Sequence, residues 1–128
     1  SDASSCATRQ PQASNLSAYI NDTNSVPTLL LGDMNDEVKA GVGICSSIDT
    51  LNALETNANL TILSKTPTME TGLFTNIPFS STIDHLVVNG AFNAWVTPAR
   101  STFTADVVAH NNLSISDHQP VFLWMKLR

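Results

Sequence analysis

Positive charge is scarce in this sequence. Six lysines and arginines stand against eleven aspartates and glutamates, the net charge is −5, and only 13% of residues are charged. Tight binding to nucleic acid depends on Lys and Arg neutralising phosphates and releasing counterions, so the composition argues against a stable DNA-binding module. A polynucleotide met by this chain would have to be held through metal ions, or bound weakly and turned over, which favours an enzyme. Long apolar runs are missing too. No stretch approaches the roughly 18 residues that span a bilayer, and the opening segment SDASSCATRQ holds no hydrophobic run of the signal-peptide kind. We therefore expect no membrane span, and read the chain as a mature or excised segment. Two cysteines, Cys6 and Cys45, cannot build a thiol-rich metal cluster. They can stay as two buried thiols or form one bridge, and the bridge is the expectation. It would close a loop of about 40 residues, worth roughly 4 kcal/mol in the chain-entropy model, and would fit an oxidising compartment.

What is present is an ordinary 42% of hydrophobic residues over 128 positions, enough for one domain with one core. Sequons at Asn15, Asn21, Asn59 and Asn112 are about what chance supplies in a chain so rich in Asn, Ser and Thr, and they carry no argument. Ala13, Leu16 and Ile20 recur at helical spacing, which predicts a helix over 9–20 that stops at Asn21, Asp22 and Asn24. The short apolar run 28–31, between Pro27 and Gly32, predicts a strand buried on both faces. Ile48, Leu51 and Leu54 predict a helix over 47–55 capped by Ser46 or Ser47. A strand is expected at 60–63, then a long Thr-, Pro- and Gly-rich loop over 65–81 crossing the top of the sheet. Strands are expected at 83–88, 92–96, 102–109 and 121–126, the last with clear alternation. Helices toward the front and strands behind predict an α+β layered domain.

Three short clusters place acids or a histidine at strand ends: Gly32-Asp33-Met34-Asn35, Ile83-Asp84-His85, and Ser116-Asp117-His118-Gln119-Pro120-Val121. Each has a bland reading. Asp33 and Asn35 cap backbone groups well and can simply form a turn. His85 follows Asp84 along a strand and so faces the opposite side, as a structural residue. His110, beside two asparagines, reads as a turn residue. Asp36 and Glu37 read as solvated loop acids, and Trp95 and Trp124 as core.

Taken together, in this order and spacing, LLLGDMN at 29–35, STIDHLVV at 81–88 and SISDHQPVFLWM at 114–125 resemble the endonuclease/exonuclease/phosphatase family, which includes deoxyribonuclease I. Arg9, Gln12 and Ala13, in the run leading to the first cluster, match as well, and within the family the chain looks most like the secreted bacterial extracellular nucleases. The resemblance implies half of a four-layer αββα sandwich, one mainly antiparallel sheet with covering helices. It spans residues 1–128 as the carboxyl-terminal half of the domain; the amino-terminal half, with the principal metal-binding glutamate, is not in this sequence. That missing half is therefore an expected partner.

The reaction implied is divalent-metal-dependent phosphodiester hydrolysis, with nucleic acid as substrate and a secreted location. It needs a cation to neutralise developing charge, a base for water and donors for the nonbridging oxygens. Hard oxygen donors suit Mg2+, with Mn2+ or Ca2+ as substitutes. By resemblance, Asp33 orients or deprotonates water or binds the metal, Asn35 donates to the phosphate, and Asp117 helps hold the metal. His118 contacts the phosphate or transfers a proton, while Asp84 accepts from its other nitrogen and fixes the tautomer. Two further readings stay open: a phosphodiesterase or phosphatase for small or lipid substrates, and a non-catalytic binding or structural module capable of self-assembly.

Overall fold

A computed structural model of the chain describes residues 5–37, 50–65, 75–78, 81–95, 104–107 and 112–124. The chain opens with helix α1, Cys6–Asp22, and runs into strand β1, Leu29–Asp33. A single helical turn, α2 (Asn52–Glu55), precedes β2 (Leu60–Ile62), which passes into a 3-10 turn at Leu63–Lys65. Strand β3 (Asp84–Asn89) leads directly into helix α3 (Gly90–Trp95), and β4 (Thr104–Val107) and β5 (Val121–Trp124) follow. The α+β class holds. Among the described residues no helix is long and apolar enough to cross a membrane.

The strands form an antiparallel three-stranded sheet in the order β1-β3-β2 and an antiparallel β4-β5 pair. Because β3 lies in the middle, its backbone is paired on both edges. Leu86, Val87 and Val88 are all buried, so successive side chains on both faces are out of water; each fully buried residue of this size contributes roughly 1.5–3 kcal/mol. Leu86 and Val88 face a cluster with Leu63 and Phe92, against which Leu29, Val121 and Leu123 pack. On the other face Ala13 of α1 meets Leu51 and Leu54, joined by Met34, Leu60 and Ile62.

Several expectations need correction. The run at 28–31 is not buried on both faces: β1 is an outer strand of the three, and its Leu31 is 64% exposed. An apolar run of four does not distinguish a central strand from an outer one, and the doubly buried strand is β3. In α1 the buried stripe is Ala13, Ser17 and Ile20, not one containing Leu16. Ser17 can be buried because its hydroxyl donates to the Ala53 carbonyl at 2.8 Å and accepts from the Asn57 amide at 2.8 Å. The first part of the helix expected at 47–55 lies outside the described residues, and its last turn is α2.

Of the strand expected at 92–96, residues 92–95 lie in helix α3 instead. Asn89 starts it: Oδ1 accepts the Phe92 N–H at 2.9 Å, the geometry of an N-cap bonding the third helical residue. Trp95, expected in the core, is 49% exposed and lies edge-on to Phe92 with ring centroids 6.2 Å apart. The Trp124 side chain and His110 lie outside what is described. Cys6 is buried and is not a free thiol, while Cys45, its expected partner, lies outside the described residues.

Asn89 also holds the segment entering β1. Its Oδ1 accepts the Thr28 N–H at 3.0 Å, and its Nδ2 donates to the Val26 carbonyl at 2.8 Å. Replacing Asn89 with Ala strips partners from three backbone groups around a buried position, each costing about 1–3 kcal/mol when left unpaired. We expect Asn89→Ala to lower unfolding free energy by about 3 kcal/mol, measured by urea denaturation. A loss under about 1 kcal/mol would show that water replaces these bonds.

Candidate functional site

The β1–β3 register places Gly32 opposite His85 and Asp33 opposite Asp84. The pairing runs one step further, with the Met34 N–H donating to the Ile83 carbonyl at 2.8 Å. Asp33, where β1 stops, and Asp84, where β3 starts, are therefore neighbours at one end of the sheet. The chain turns away there through Asn35, whose φ of 54° is the left-handed conformation that Asn tolerates better than most residues. The turn is held by Asp33: Oδ1 accepts the Asn35 N–H at 2.7 Å and Oδ2 accepts from the Asn35 amide at 3.3 Å. Both residues are exposed. The bland reading of this cluster thus describes its local structure, and it leaves the pair at the sheet end.

His118 reaches the same place from the segment before β5. Its Nδ1 lies 2.8 Å from Asp84 Oδ2, and the two side chains keep 29% and 22% of their surface. A carboxylate can only accept, so Nδ1 carries the hydrogen. The other ring nitrogen, Nε2, is 3.3 Å from Asn76 Nδ2. The His118 backbone N–H donates to Ser116 Oγ at 3.0 Å, which fixes the approach of the loop. Asp117 is exposed, and its carbonyl accepts the Ile77 N–H at 2.9 Å. Asp33, Asn35, Asp84, Asp117 and His118 thus gather around one end of β1 and β3.

Partial burial, the largest single influence on His118, disfavours its charge. The Asp84 hydrogen bond and the negative charges of Asp84, Asp33 and Asp117 outweigh it, and its pKa lies above the ordinary 6.5. His85, next to Asp84 but on the opposite face, is the reverse case. It is 3% exposed, and burial holds its pKa below the ordinary value despite the Asp36 carbonyl and the carboxylates of Asp84, Asp33 and Asp36. As a neutral ring it accepts from Ser64 Oγ at 2.8 Å and donates from Nε2 to the Asp36 carbonyl at 2.8 Å. In the unfolded chain this ring takes up a proton more readily than in the fold. Its effect on stability is therefore absent above the ordinary value and becomes a loss as pH falls below it.

Asp36 is a correction to the expectation of a solvated loop acid: it is 3% exposed, with Oδ1 accepting the Glu37 N–H at 3.0 Å and Oδ2 accepting from the Thr50 hydroxyl. Glu37 is half-buried and accepts the Thr82 N–H at 3.0 Å. An acidic run in a loop carries no mark that separates a solvated acid from one that holds backbone together.

An open cleft of about 620 Å³ lies beside the Asp84–His118 pair, walled by Leu31, Leu86, Ile115 and Val121. Among the described residues no group of three or more His, Cys, Asp or Glu side chains is placed to hold a metal ion. Asp33 and Asp117 offer hard oxygens of the kind magnesium prefers, but as an incomplete set; these residues alone do not fit a metal centre. No family model, curated protein or solved structure matches the chain.

Thr75, Asn76 and Ser116 escaped sequence reasoning. Ser116 carried a faint signal, since a Ser two residues before a histidine can form a side-chain turn. Thr75 and Asn76 sit in the Thr-rich stretch 65–81 with nothing to single them out.

Because the pKa of His118 is raised in the fold, the pair's stabilising effect is fully present below pH 6.5 and is lost as pH rises through the folded value. Replacing Asp84 with Asn should lower the His118 pKa, because the ring loses both its hydrogen-bonded carboxylate and that carboxylate's charge. It should also cost more stability in acid than in alkali. Titration of the His118 ring by NMR measures the first effect, and an unchanged or raised pKa would refute the assignment of Asp84 as the group that sets it.

Proposed function

We propose that this chain is the carboxyl-terminal half of a deoxyribonuclease I-like αββα domain, which when complete hydrolyses phosphodiesters of nucleic acid outside the cell. The observation supporting this most directly is the Asp84–His118 hydrogen bond of 2.8 Å at the sheet end where Asp33 stands opposite Asp84. Asp84 holds the imidazole with Nδ1 protonated and makes it more basic, so Nε2, which faces the Asn76 amide in the chain alone, is the atom that exchanges that bond for a phosphate oxygen or a proton. Asp33 orients or deprotonates water, and Asn35 donates to a nonbridging oxygen. Asp33 and Asp117 would be two of the ligands of a divalent cation, whose chemistry is to neutralise charge developing on the phosphate. The rest of the ligand set would come from the amino-terminal half.

One observation favours a different substrate in the same reaction class. The cleft next to the pair is walled by aliphatic side chains and the chain carries a net charge of −5, which suits a small or lipid phosphodiester with an apolar body better than a polyanion.

The test compares cleavage of DNA and of bis(4-nitrophenyl) phosphate by this chain and by the chain combined with an amino-terminal half, each with magnesium and with EDTA. We expect the chain alone to be inert and the combination with magnesium to be active. His118→Ala should then cost about 100 to 1,000-fold in rate, the usual effect of removing one well-placed transition-state donor. EDTA-resistant cleavage by the chain alone would overturn the mechanism. An inert combination would favour a non-catalytic module, in which the same strand-end bonds serve assembly.

A further inference from the structure

Residues 75–78 belong to neither helix nor strand, yet they touch both members of the Asp84–His118 pair. Thr75 is completely buried. Its Oγ1 accepts the N–H groups of Ile83 at 2.9 Å and Asp84 at 3.1 Å, so it fixes the point at which β3 begins. Its carbonyl accepts the Gln119 N–H at 2.7 Å, and its own N–H donates to the Ser81 carbonyl at 3.0 Å. One residue thus pins the backbone of Asp84 and the backbone just after His118. Asn76 bridges Ser81 on one side and His118 on the other, and its amide is the group 3.3 Å from Nε2.

We propose that Thr75 and Asn76 are positioning residues of the pair: Thr75 sets where Asp84 and His118 meet, and the Asn76 amide, donating to Nε2, fixes the plane of the ring. With only 4% of its surface exposed, Asn76 acts through the imidazole and does not touch a substrate. The carboxylates facing the ring are Asp84 on β3, Asp33 on β1 and Asp117 in its own loop; when ionised they only accept hydrogen bonds. They therefore orient Nδ1–H and cannot hold a bare Nε2. An amide N–H can, and the two anchors at opposite nitrogens leave the ring one orientation and one neutral tautomer. The inference rests on the pair described above but not on phosphodiester hydrolysis, because its test reads the ring itself.

In alkaline solution, where the imidazole is neutral, 15N NMR of the labelled chain should show His118 as the Nδ1–H tautomer. A scalar coupling should be detectable across the Asn76 N–H···Nε2 bond. Asn76→Ala should abolish the coupling and turn a single tautomer into a mixture. Thr75→Val, which keeps the side-chain shape but removes the oxygen that accepts two N–H groups, should move the ring toward the Nε2–H tautomer, and Thr75→Ser should restore the original state. A wild-type ring in the Nε2–H form, or without the coupling, would overturn the proposal. So would a folded Asn76→Ala chain with His118 unchanged. Should the variants fail to fold, the wild-type tautomer and coupling still decide the matter.

Discussion

With Leu29 set opposite Val88, the antiparallel register of β1 and β3 leaves no freedom in where Asp33 and Asp84 come to rest. Side chains alternate along a strand, so a slip of one residue would turn Leu86 and Val88 out of their cluster and carry Asp84 to the wrong face. The cost of exposing that apolar surface, roughly 25 cal/mol per Å², is what holds the register. The two aspartates are mutually repelling groups at the solvent end of the sheet and contribute nothing to that choice. Their position is a by-product of packing elsewhere, which is how a fold can hold like charges close to one another.

Two consecutive residues on β3 then face opposite fates. Asp84 points toward water and meets His118, while His85 points inward and meets Ser64 and the carbonyl of Asp36. Asp84 and Asp33 raise the affinity of both rings for a proton. Burial overrides them at His85 and fails to do so at His118. A histidine is therefore not assigned by its neighbours in sequence. What separates the two rings is how much water each has lost.

That distinction was partly legible in the sequence. Strand alternation puts His85 opposite Asp84, and the three acid-bearing clusters at strand ends mark Asp33, Asp84 and His118 as candidates for one place. The helix at the front and the strands now described as β3, β4 and β5 were readable from the sequence; α1 runs past the expected 9–20 at both ends, and β3 is shifted by one residue from the expected 83–88. What was not readable depended on partners distant along the chain. Residues 92–96 have strand-like composition, but Asn89 caps the helix that begins at Gly90 and carries residues 92–95 into it. Leu29 to Leu31 look like a central strand because composition records apolar character and not the number of neighbouring strands. Asp36 looked solvated because its Thr50 partner lies 14 residues away. Thr75 and Asn76 act entirely through such distant contacts, and no local pattern could have announced them.

Asn89 has a bearing on the order in which the molecule assembles. One of its bonds spans 3 residues, while the other two reach 61 and 63 residues back along the chain. The short bond can form as soon as α3 nucleates. The long ones require β1 already laid against β3, because the entropy of closing so long a loop has to be met by strand pairing and burial before a single amide can bridge its ends. The side chain is thus a late latch on an early cap. Contacts that form after the transition state slow escape from the native state without hastening arrival, so the grip of Asn89 on Val26 and Thr28 belongs to the lifetime of the folded chain more than to the speed of folding.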